Sequence, residues 1–257
     1  MWPYNNKLMH DLTHIFSYTG VDLGRTGEIC IIQLSTTEQV YLFDVYQLKK
    51  DDPLTLFIKQ ILESNDIIKI IHDVKMDSDA LYHLLDINVA GIHDTQCWDS
   101  VLYHGRELNL NKTLSYYSCT INVVRDSSIY DENFRFWATR PMTKQMKEWA
   151  SADVKSLFEL STKQYTKASE AQRSAALNMS IAKASFLKEK ITAASKINGR
   201  NMGRFIGTGG SNLKSFIGQF PGSFIQFRGR RGSGDIDIYA VDEAQMVKVK
   251  DAIKRFQ

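Results

Sequence analysis

Three short apolar runs open the chain and are separated by turns. They are "LTHIFSYTG" at 12–20, "EICIIQLS" at 28–35 and "VYLFDV" at 40–45. Each run is rich in β-branched and aromatic residues, and the turns between them contain glycines or the polar sequence "STTEQ". This pattern predicts three strands that follow one another as a meander.

After the meander, the apolar spacing alternates between helical and strand periods. Residues 54–63 place their apolar side chains on one helical face, and "IIKIIH" at 67–72 predicts a short buried strand. Residues 77–86 predict a second helix, and "GIHDTQ" at 91–96 predicts the end of a strand with a helix after it. Strands that alternate with helices after an initial meander indicate a mixed α/β sheet.

A long helical pattern follows, and then the composition changes. Residues 141–167 predict one helix, with Pro141 at its start and Thr143 as a candidate cap. Residues 168–195 are rich in Ala, Ser and Lys and predict a helical linker. The few apolar side chains of this linker could pack on a partner chain.

The last part of the chain predicts the element order β-α-α-β-β-α. "KINGRN" at 196–201 predicts the first strand, and two helices with a glycine loop between them follow. "SFIQFRGR" at 223–230 and "DIDIYA" at 235–240 predict a hairpin before a final helix. We therefore expect a large α/β domain, a helical linker and a small α+β domain, at 1–167, 168–195 and 196–257.

Length and charge agree with this division. The 257 residues suit two domains, and a hydrophobic content of 43% is sufficient for packed cores. Residues 196–257 contain 11 Lys and Arg but 5 Asp and Glu, a net charge of +6, whereas the rest of the chain has a net charge of −3. A basic module beside a near-neutral domain favours a polyanionic partner for the module.

Other classes of protein are disfavoured by composition. No apolar run approaches the ~20 residues of a membrane-spanning helix, and the first residues lack the apolar core of a signal peptide. The three cysteines are widely spaced and form no CxxC pair, which argues against structural zinc or disulfides and for a reducing, intracellular setting.

The glycine loop carries the clearest motif of the basic module. The sequence "IGTGG" at 206–210, followed by "SNLK" at 211–214, resembles the signature of type I KH domains, and the element order supports the resemblance. Without a Cβ, glycines let a nucleic-acid backbone approach closely, and the following helix offers its first N–H groups to phosphate. The resemblance implies a module that binds single-stranded RNA.

The resemblance also implies which residues contact RNA. In KH domains four nucleotides lie between the glycine loop and a hydrophobic strand, so Leu213 would join the groove floor. The two positions between the outer glycines hold Thr208 and Gly209, where such loops often carry a basic residue, so we expect modest affinity. A KH fold used only for protein contacts is the alternative. The implied RNA-binding residues are Ile206, Gly207, Thr208, Gly209, Gly210, Lys214, Ile225, Arg228, Arg230 and Arg231.

The larger domain resembles DEDD-type 3′–5′ exonuclease domains, which have the ribonuclease H-like fold of ribonuclease D. The matching stretches are "GVDLGRTGEICIIQLS" at 20–35, "KIIHDVKMDSDALYHLL" at 69–85, "GIHDTQ" at 91–96 and "RPMTKQMKEWASADVKSLFEL" at 140–160. The "GVDLGR" sequence is similar to the animal exonuclease-domain proteins of germline small-RNA pathways. The resemblance implies a ribonuclease H-like mixed sheet flanked by helices.

The chemistry of that family requires groups that this chain lacks. Two divalent metals ~3.5–4 Å apart activate a water, and such hard cations prefer carboxylate oxygens. The family supplies four carboxylates, plus a Tyr or His that positions the water. Aligned on the motifs, the first-strand pair falls on Ser17 and Thr19 and the Tyr position on Trp149, while Asp77 and Asp153 remain. We therefore expect a degenerate site with no catalytic residue, bound metal or cofactor.

Several acidic and histidine residues near these motifs have alternative interpretations. Asp22 could replace a missing ligand, but a strand period of two would place it on the opposite face from the first-strand pair. Asp73 and Asp79 are expected as charges that favour the helix dipole. We expect His72 to make a structural hydrogen bond at a strand end and Asp94 to cap a helix, rather than to bind metal.

These resemblances favour an RNA-binding adaptor, in which an inactive exonuclease fold is joined to a KH domain. Such a protein would link single-stranded RNA to a protein partner in a cytoplasmic small-RNA or mRNA ribonucleoprotein complex, without a membrane. A homodimer is expected through 168–194 or through the exonuclease-like domain. The alternatives are an active 3′–5′ exoribonuclease with a rewired metal site and a protein scaffold that binds no RNA.

Overall fold

The chain divides into two compact units, each with its own sheet. The computed structural model describes residues 13–126, 128–230 and 232–257. The described parts of 13–126 and 135–188 form the first unit, and those of 128–134 and 189–257 form the second.

A five-stranded mixed sheet is the centre of the first unit. Its strands are β1 (Thr13–Val21), β2 (Glu28–Ser35), β3 (Val40–Asp44), β4 (Ile68–Ile71) and β5 (Ile92–Asp94). Their order across the sheet is β3-β2-β1-β4-β5. The first three strands pair antiparallel, whereas β1 with β4 and β4 with β5 pair parallel. The predicted meander and mixed sheet are therefore confirmed.

The α-helices of the described residues are distributed over both units. They are α1 (Pro53–Glu63), α2 (Val74–Leu85), α3 (Thr95–Leu102), α4 (Leu110–Tyr116), α5 (Ile129–Glu132), α6 (Lys144–Lys155), α7 (Leu157–Lys167), α8 (Glu170–Ser185), α9 (Met202–Ile206), α10 (Ser211–Gly218) and α11 (Glu243–Ile253). None of them is long and apolar enough to cross a bilayer.

Two helical layers pack on opposite faces of β1. Phe16 shares a hydrophobic core with Val74 of α2, and Ile15 shares a different core with Val154 of α6. Successive side chains of a strand point to opposite faces of the sheet. From Ile15 to Thr19, before the register shift at Gly20, even-numbered residues of β1 therefore face α2, and odd-numbered residues face α6.

The helix predicted over 141–167 is two helices. The first begins at Lys144 after Thr143, whose Oγ1 accepts a hydrogen bond of 3.2 Å from the Met146 amide, so the predicted cap is confirmed. Pro141 precedes the helix instead of starting it. The break falls at Ser156, whose hydroxyl donates a hydrogen bond of 2.6 Å to the Thr120 carbonyl.

The structure also differs from the predicted linker at 168–195. Helix α8 packs against α2, α3 and β5 within the first unit. Its buried residues are small and lie four apart, Ala176, Ser180 and Ala184, which lets the helix approach its neighbours closely. The C-terminal end of the predicted linker is part of a strand, β6 (Ile191–Lys196), of the second unit.

The second unit has a three-stranded antiparallel sheet. Its strands are β6, β7 (Phe224–Phe227) and β8 (Asp235–Ala240), in the order β6-β8-β7. Side chains from α9, α10 and α11, including Phe205, Phe216 and Val249, form one core with the sheet. The predicted element order is confirmed, but the first strand lies earlier than "KINGRN", because residues 199–201 form a 3₁₀ turn.

Candidate functional site

The first-strand positions of the degenerate site lie on the side of β1 that faces α6. Ser17 and Thr19 are odd-numbered residues and share the face of Ile15. Ser17 pairs with Gln33 of β2 in the sheet register, and Gln33 Nε2 donates a hydrogen bond of 2.9 Å to Thr19 Oγ1. These positions therefore present hydroxyl groups and no charge.

Asp77 lies in the first turn of α2, among other charged groups. Burial, and then the charges of Asp73 and Asp94, raise the pKa of Asp77 well above its ordinary value, while Lys183 acts against them. Burial, and then the charge of Asp77, also raise the pKa of the Tyr18 hydroxyl. The ionised form of the Asp77 carboxyl is therefore disfavoured in this environment.

Asp153 is held by two donors from the loop after α4. Asn122 Nδ2 and Arg125 Nη1 lie 2.9 Å and 3.1 Å from the same oxygen, Asp153 Oδ1. The Asp153 side chain is 4% exposed, whereas that of Arg125 is 42% exposed. Burial raises the pKa of Asp153, and Arg125 and Asn122 act against this shift. A guanidinium therefore neutralises the carboxylate from its solvent side.

Asn122 is itself fixed by a set of hydrogen bonds. Its backbone N–H donates to Asn111 Oδ1 at 3.0 Å, and Asn111 Nδ2 donates to its carbonyl at 2.9 Å. The amide of Val124 donates to Asn122 Oδ1 at 3.0 Å. The loop that carries Arg125 is thus attached both to α4 and to α6. Sequence reasoning missed Asn122 and Arg125, because no local motif marks them.

Trp149 lies one turn before Asp153 and belongs to an aromatic cluster. Its ring centroid is 5.3 Å from that of Trp137 and 5.8 Å from that of Phe136. The side chain is buried, and its carbonyl accepts a hydrogen bond of 3.1 Å from Asn122 Nδ2. The residue therefore fills a core, and it has no hydroxyl with which to orient a water.

Asp77 and Asp153 are the two carboxylates among the five positions of this site. In the described part of the chain, no group of three or more His, Cys, Asp or Glu is arranged to hold a metal ion. Burial is the largest cause of the raised pKa of both Asp77 and Asp153, and the charged groups that modify this shift differ: Asp73, Asp94 and Lys183 at Asp77, and Arg125 at Asp153. Asp22 follows the end of β1 in a left-handed backbone conformation, with φ +47°, and does not complete such a group.

His72 and Asp94 have the structural roles expected for them. His72 Nε2 lies 3.1 Å from the Leu108 carbonyl, which can only accept, and Nδ1 lies 2.8 Å from Thr95 Oγ1. Burial lowers the pKa of His72. Asp94 accepts hydrogen bonds from the amides of Gln96 and Cys97 and caps α3.

The charges expected at the start of α2 behave differently from one another. Asp73 forms an ion pair of 2.7 Å with Lys183 of α8. Asp79 is not a dipole charge at the surface, because it is fully buried and paired with Arg25 of the "GVDLGR" turn. The Arg25 amide donates to Asp79 at 2.9 Å, and its guanidinium donates at 2.7 Å. The glycine turn is therefore anchored to α2.

The glycine loop of the second unit has a backbone that depends on glycine. Gly207, Gly209 and Gly210 have φ values of +73°, +59° and +79°. A Cβ on Gly207 would lie 2.7 Å from Cγ of Asn212, whereas a Cβ on Gly209 or Gly210 would have no neighbour within 4 Å. The loop therefore presents an open backbone surface next to the first turn of α10.

The other implied RNA contacts of this unit differ in accessibility. Ile206 is partly buried, and Thr208 and Lys214 are exposed. Ile225 is 4% exposed and packs in the core, so it supports the sheet instead of lining an open groove. The sequence pattern missed this, because it does not show which neighbours cover a strand.

The arginines of the β7–β8 hairpin also differ. Arg228 pairs with the buried Asp237, with 3.4 Å between Nε and Oδ2. Arg230 is exposed, and Arg231 lies outside the described residues. One of the three predicted contacts is therefore already engaged within the unit.

Comparison with known proteins agrees with the fold of the first unit. Residues 19–166 match the profile of a family described as 3′-5′ exonuclease. The chain is 29% identical over 146 residues to piRNA biogenesis protein EXD1 of Bombyx mori. The match covers 55% of this chain and 46% of that protein. The chain is also 26% identical over 127 residues to a ribonuclease D of Bartonella henselae. That match covers 49% of this chain and 29% of that protein. The chain thus spans less than half the length of these relatives.

A solved structure shows the same architecture. The Trypanosoma brucei RNase D structure, a complex with GMP, superposes with a TM-score of 0.59 at 19% identity, over 69% of this chain and 58% of that chain. The mixed sheet flanked by helices is therefore the ribonuclease H-like fold of these exonuclease domains.

Proposed function

Because the chain belongs to the 3′–5′ exonuclease family, we propose that it keeps the family's fold as an RNA-binding adaptor that does not cleave RNA. One observation carries this proposal. The Asp153 carboxylate, at a position where the family resemblance implies a metal ligand, is bound by Arg125 and Asn122. The positive charge of Arg125 repels a divalent cation from that carboxylate.

The remaining site positions support the same conclusion. Ser17 and Thr19 present neutral hydroxyls where the family has carboxylates, and hard divalent cations bind carboxylates more strongly. Trp149 is buried in an aromatic cluster and cannot hydrogen-bond a water as a tyrosine would. Three changes at one site therefore act against metal binding and against activation of a water.

We further propose that the second unit is a type I KH module that binds single-stranded RNA. Its element order, its open glycine loop and its net charge of +6 over 196–257 support this. The names of the two relatives, a piRNA biogenesis protein and a ribonuclease D, both concern RNA. A second RNA contact on the first unit would add avidity.

The adaptor function also implies partners. We propose that the protein links RNA to a protein component of a cytoplasmic small-RNA or mRNA ribonucleoprotein complex. The small-residue face of α8 is used inside the first unit, whereas Met179 and Ile181 of the same helix are exposed, so a homodimer through 168–194 stays a prediction. A homodimer through the exonuclease fold stays a prediction.

A nuclease assay tests the loss of activity. We expect the protein to leave 5′-labelled single-stranded RNA at full length in Mg²⁺ or Mn²⁺, because Arg125 and two hydroxyls replace the metal environment. Asp77→Ala and Asp153→Ala variants should behave in the same way. Metal-dependent shortening by the wild type that disappears in both variants would instead establish an active exonuclease with a rewired site.

An RNA-binding assay tests the glycine loop. We expect the double variant Thr208→Asp, Gly209→Asp to bind single-stranded RNA about tenfold more weakly or worse, because two carboxylates would face phosphates. The matched control is Thr208→Asn, Gly209→Asn, which has the same shape without charge, and both Asp and Asn tolerate a positive φ. RNA binding by the Asp variant equal to that of the wild type would exclude the loop, and no binding by the wild type at low salt would favour a protein scaffold.

A further inference from the structure

A second basic feature of the KH-like unit lies away from the predicted groove. A shallow cavity of about 230 Å³ opens between α9, α10 and the end of the chain. Its lining combines arginines, amides and aromatic rings: Arg204, Phe205, Asn212, Ser215, Phe216, Gln219, Arg255 and Phe256. The implied RNA-binding residues are not among them.

Two arginines converge on this cavity without a carboxylate. The guanidinium carbons of Arg204 and Arg255 lie 5.6 Å and 5.0 Å from the centre of the Phe256 ring. Both side chains are exposed, and neither forms an ion pair with any residue that the structure describes. An anion that contacted both guanidinium groups would be attracted by two positive charges at once.

Four carboxylates of the same unit are engaged elsewhere. Asp237 pairs with Arg228, Asp235 with Lys196 and Asp251 with Lys254. Asp242 caps α11 through the amide of Gln245. None of these four carboxylates is paired with Arg204 or Arg255, so both guanidinium groups can accept an anionic ligand.

Polar side chains complete the cavity on one face of α10. Asn212, Ser215 and Gln219 are spaced by three and four residues, so they lie on the same side of the helix. Leu213, which belongs to the predicted groove, points to a different side. Asn212 also connects the cavity to the glycine loop, because its Cγ is the atom nearest to a Cβ placed on Gly207, at 2.7 Å.

We propose that this cavity binds a phosphodiester group of the RNA strand that contacts the glycine loop, beyond the four nucleotides of the groove. The inference rests on RNA binding by the second unit, as proposed above. Guanidinium groups match phosphate oxygens in a bidentate fashion. The rings of Phe216 and Phe256 are buried, so they support the arginines and do not stack on bases. The contact is therefore independent of base sequence.

RNAs of different length distinguish binding at this cavity from binding in the groove. The full-length protein is compared with Arg204→Ala, Arg255→Ala on RNAs of four and of about ten nucleotides, since the KH groove takes only four. We expect the double variant to bind the longer RNA about tenfold more weakly, because charged hydrogen bonds to phosphate are lost. The slope of log affinity against log salt should fall by about 0.7 for each lost phosphate contact. Binding of the four-nucleotide RNA should change no more than in the control.

Arg200→Ala is the matched control, because Arg200 is an exposed arginine of the same unit outside the cavity. If the double variant loses no more affinity for the longer RNA than this control, the proposal is overturned. Circular dichroism checks that the variants are folded. Should the alanine variant unfold, Arg204→Gln, Arg255→Gln replaces it under the same criteria.

The outcomes distinguish this inference from the function on which it rests. If RNA binding depends on Thr208 and Gly209 but not on Arg204 and Arg255, the proposal for the cavity is overturned and the proposal for the glycine loop stands. No RNA binding by the wild type overturns both. Inorganic phosphate at fixed ionic strength is the probe for a free anion. If phosphate raises the Tm of the wild type but not of the double variant, while both bind the longer RNA equally, the RNA assignment is wrong.

Discussion

Arg25 illustrates how a single residue of a recognisable motif acquires its role only from a distant partner. Its side chain and its amide both bind Asp79, which is 54 residues away and fully buried. The guanidinium also donates to the carbonyl of Leu187 after α8. One arginine therefore connects the turn after β1, helix α2 and the end of the first unit.

Removal of Arg25 should destabilise the first unit strongly. We expect Arg25→Ala to lower the free energy of unfolding by about 3–5 kcal/mol, because Asp79 would remain buried without its cation. Urea denaturation followed by fluorescence measures this change. Arg135→Ala is the matched control, since Arg135 pairs with Glu28 at the surface and should cost about 0–1 kcal/mol. If both variants lower the free energy of unfolding by the same amount, the buried pair stabilises the protein no more than the surface pair.

The candidate nuclease site also combines residues that the sequence marks with residues that only the fold brings in. The identities at 17, 19, 77, 149 and 153 follow directly from the motif spacing. The donors to Asp153, however, come from Asn122 and Arg125, in a segment with no recognisable pattern. Their role depends on a loop folding back onto α6, which no sequence window contains.

Among the elements, α8 differs most from what its sequence indicates. Its Ala- and Ser-rich composition has little apolar surface, which is typical of a linker. Ser180 nevertheless accepts a hydrogen bond of 3.1 Å from the Asp94 amide, and Lys183 pairs with Asp73. Small residues bury well only where a neighbouring element fits them, so the pattern alone underestimates their burial.

The buried face of α8 should not tolerate a larger side chain. We expect Ala184→Leu to destabilise the protein by about 1–3 kcal/mol, because the added methyl groups overpack a close contact with its neighbours. Ala182→Leu on the exposed face of the same helix is the matched control and should stay within about 0.5 kcal/mol. Thermal unfolding measures the stability of both variants. If they are equally stable, α8 is a linker that does not pack against the first unit.

At the scale of the whole molecule, the chain combines two units with different charge. The basic residues of 196–257 and the near-neutral remainder are visible in composition alone. The cavity at Arg204 and Arg255 is not visible, because these arginines are 51 positions apart and meet only when the end of the chain packs beside α9.

The sequence by itself determined the order of strands and helices and the place of the glycine loop between two helices. These depend on local periodicity, on backbone preferences and on the identity of single side chains, which act over a few residues. Only the tertiary structure decided that α8 belongs to the first unit, that Arg25 holds Asp79 and that Arg125 neutralises Asp153. Those contacts join residues far apart in the chain, and their stability comes from burial, which no local pattern specifies.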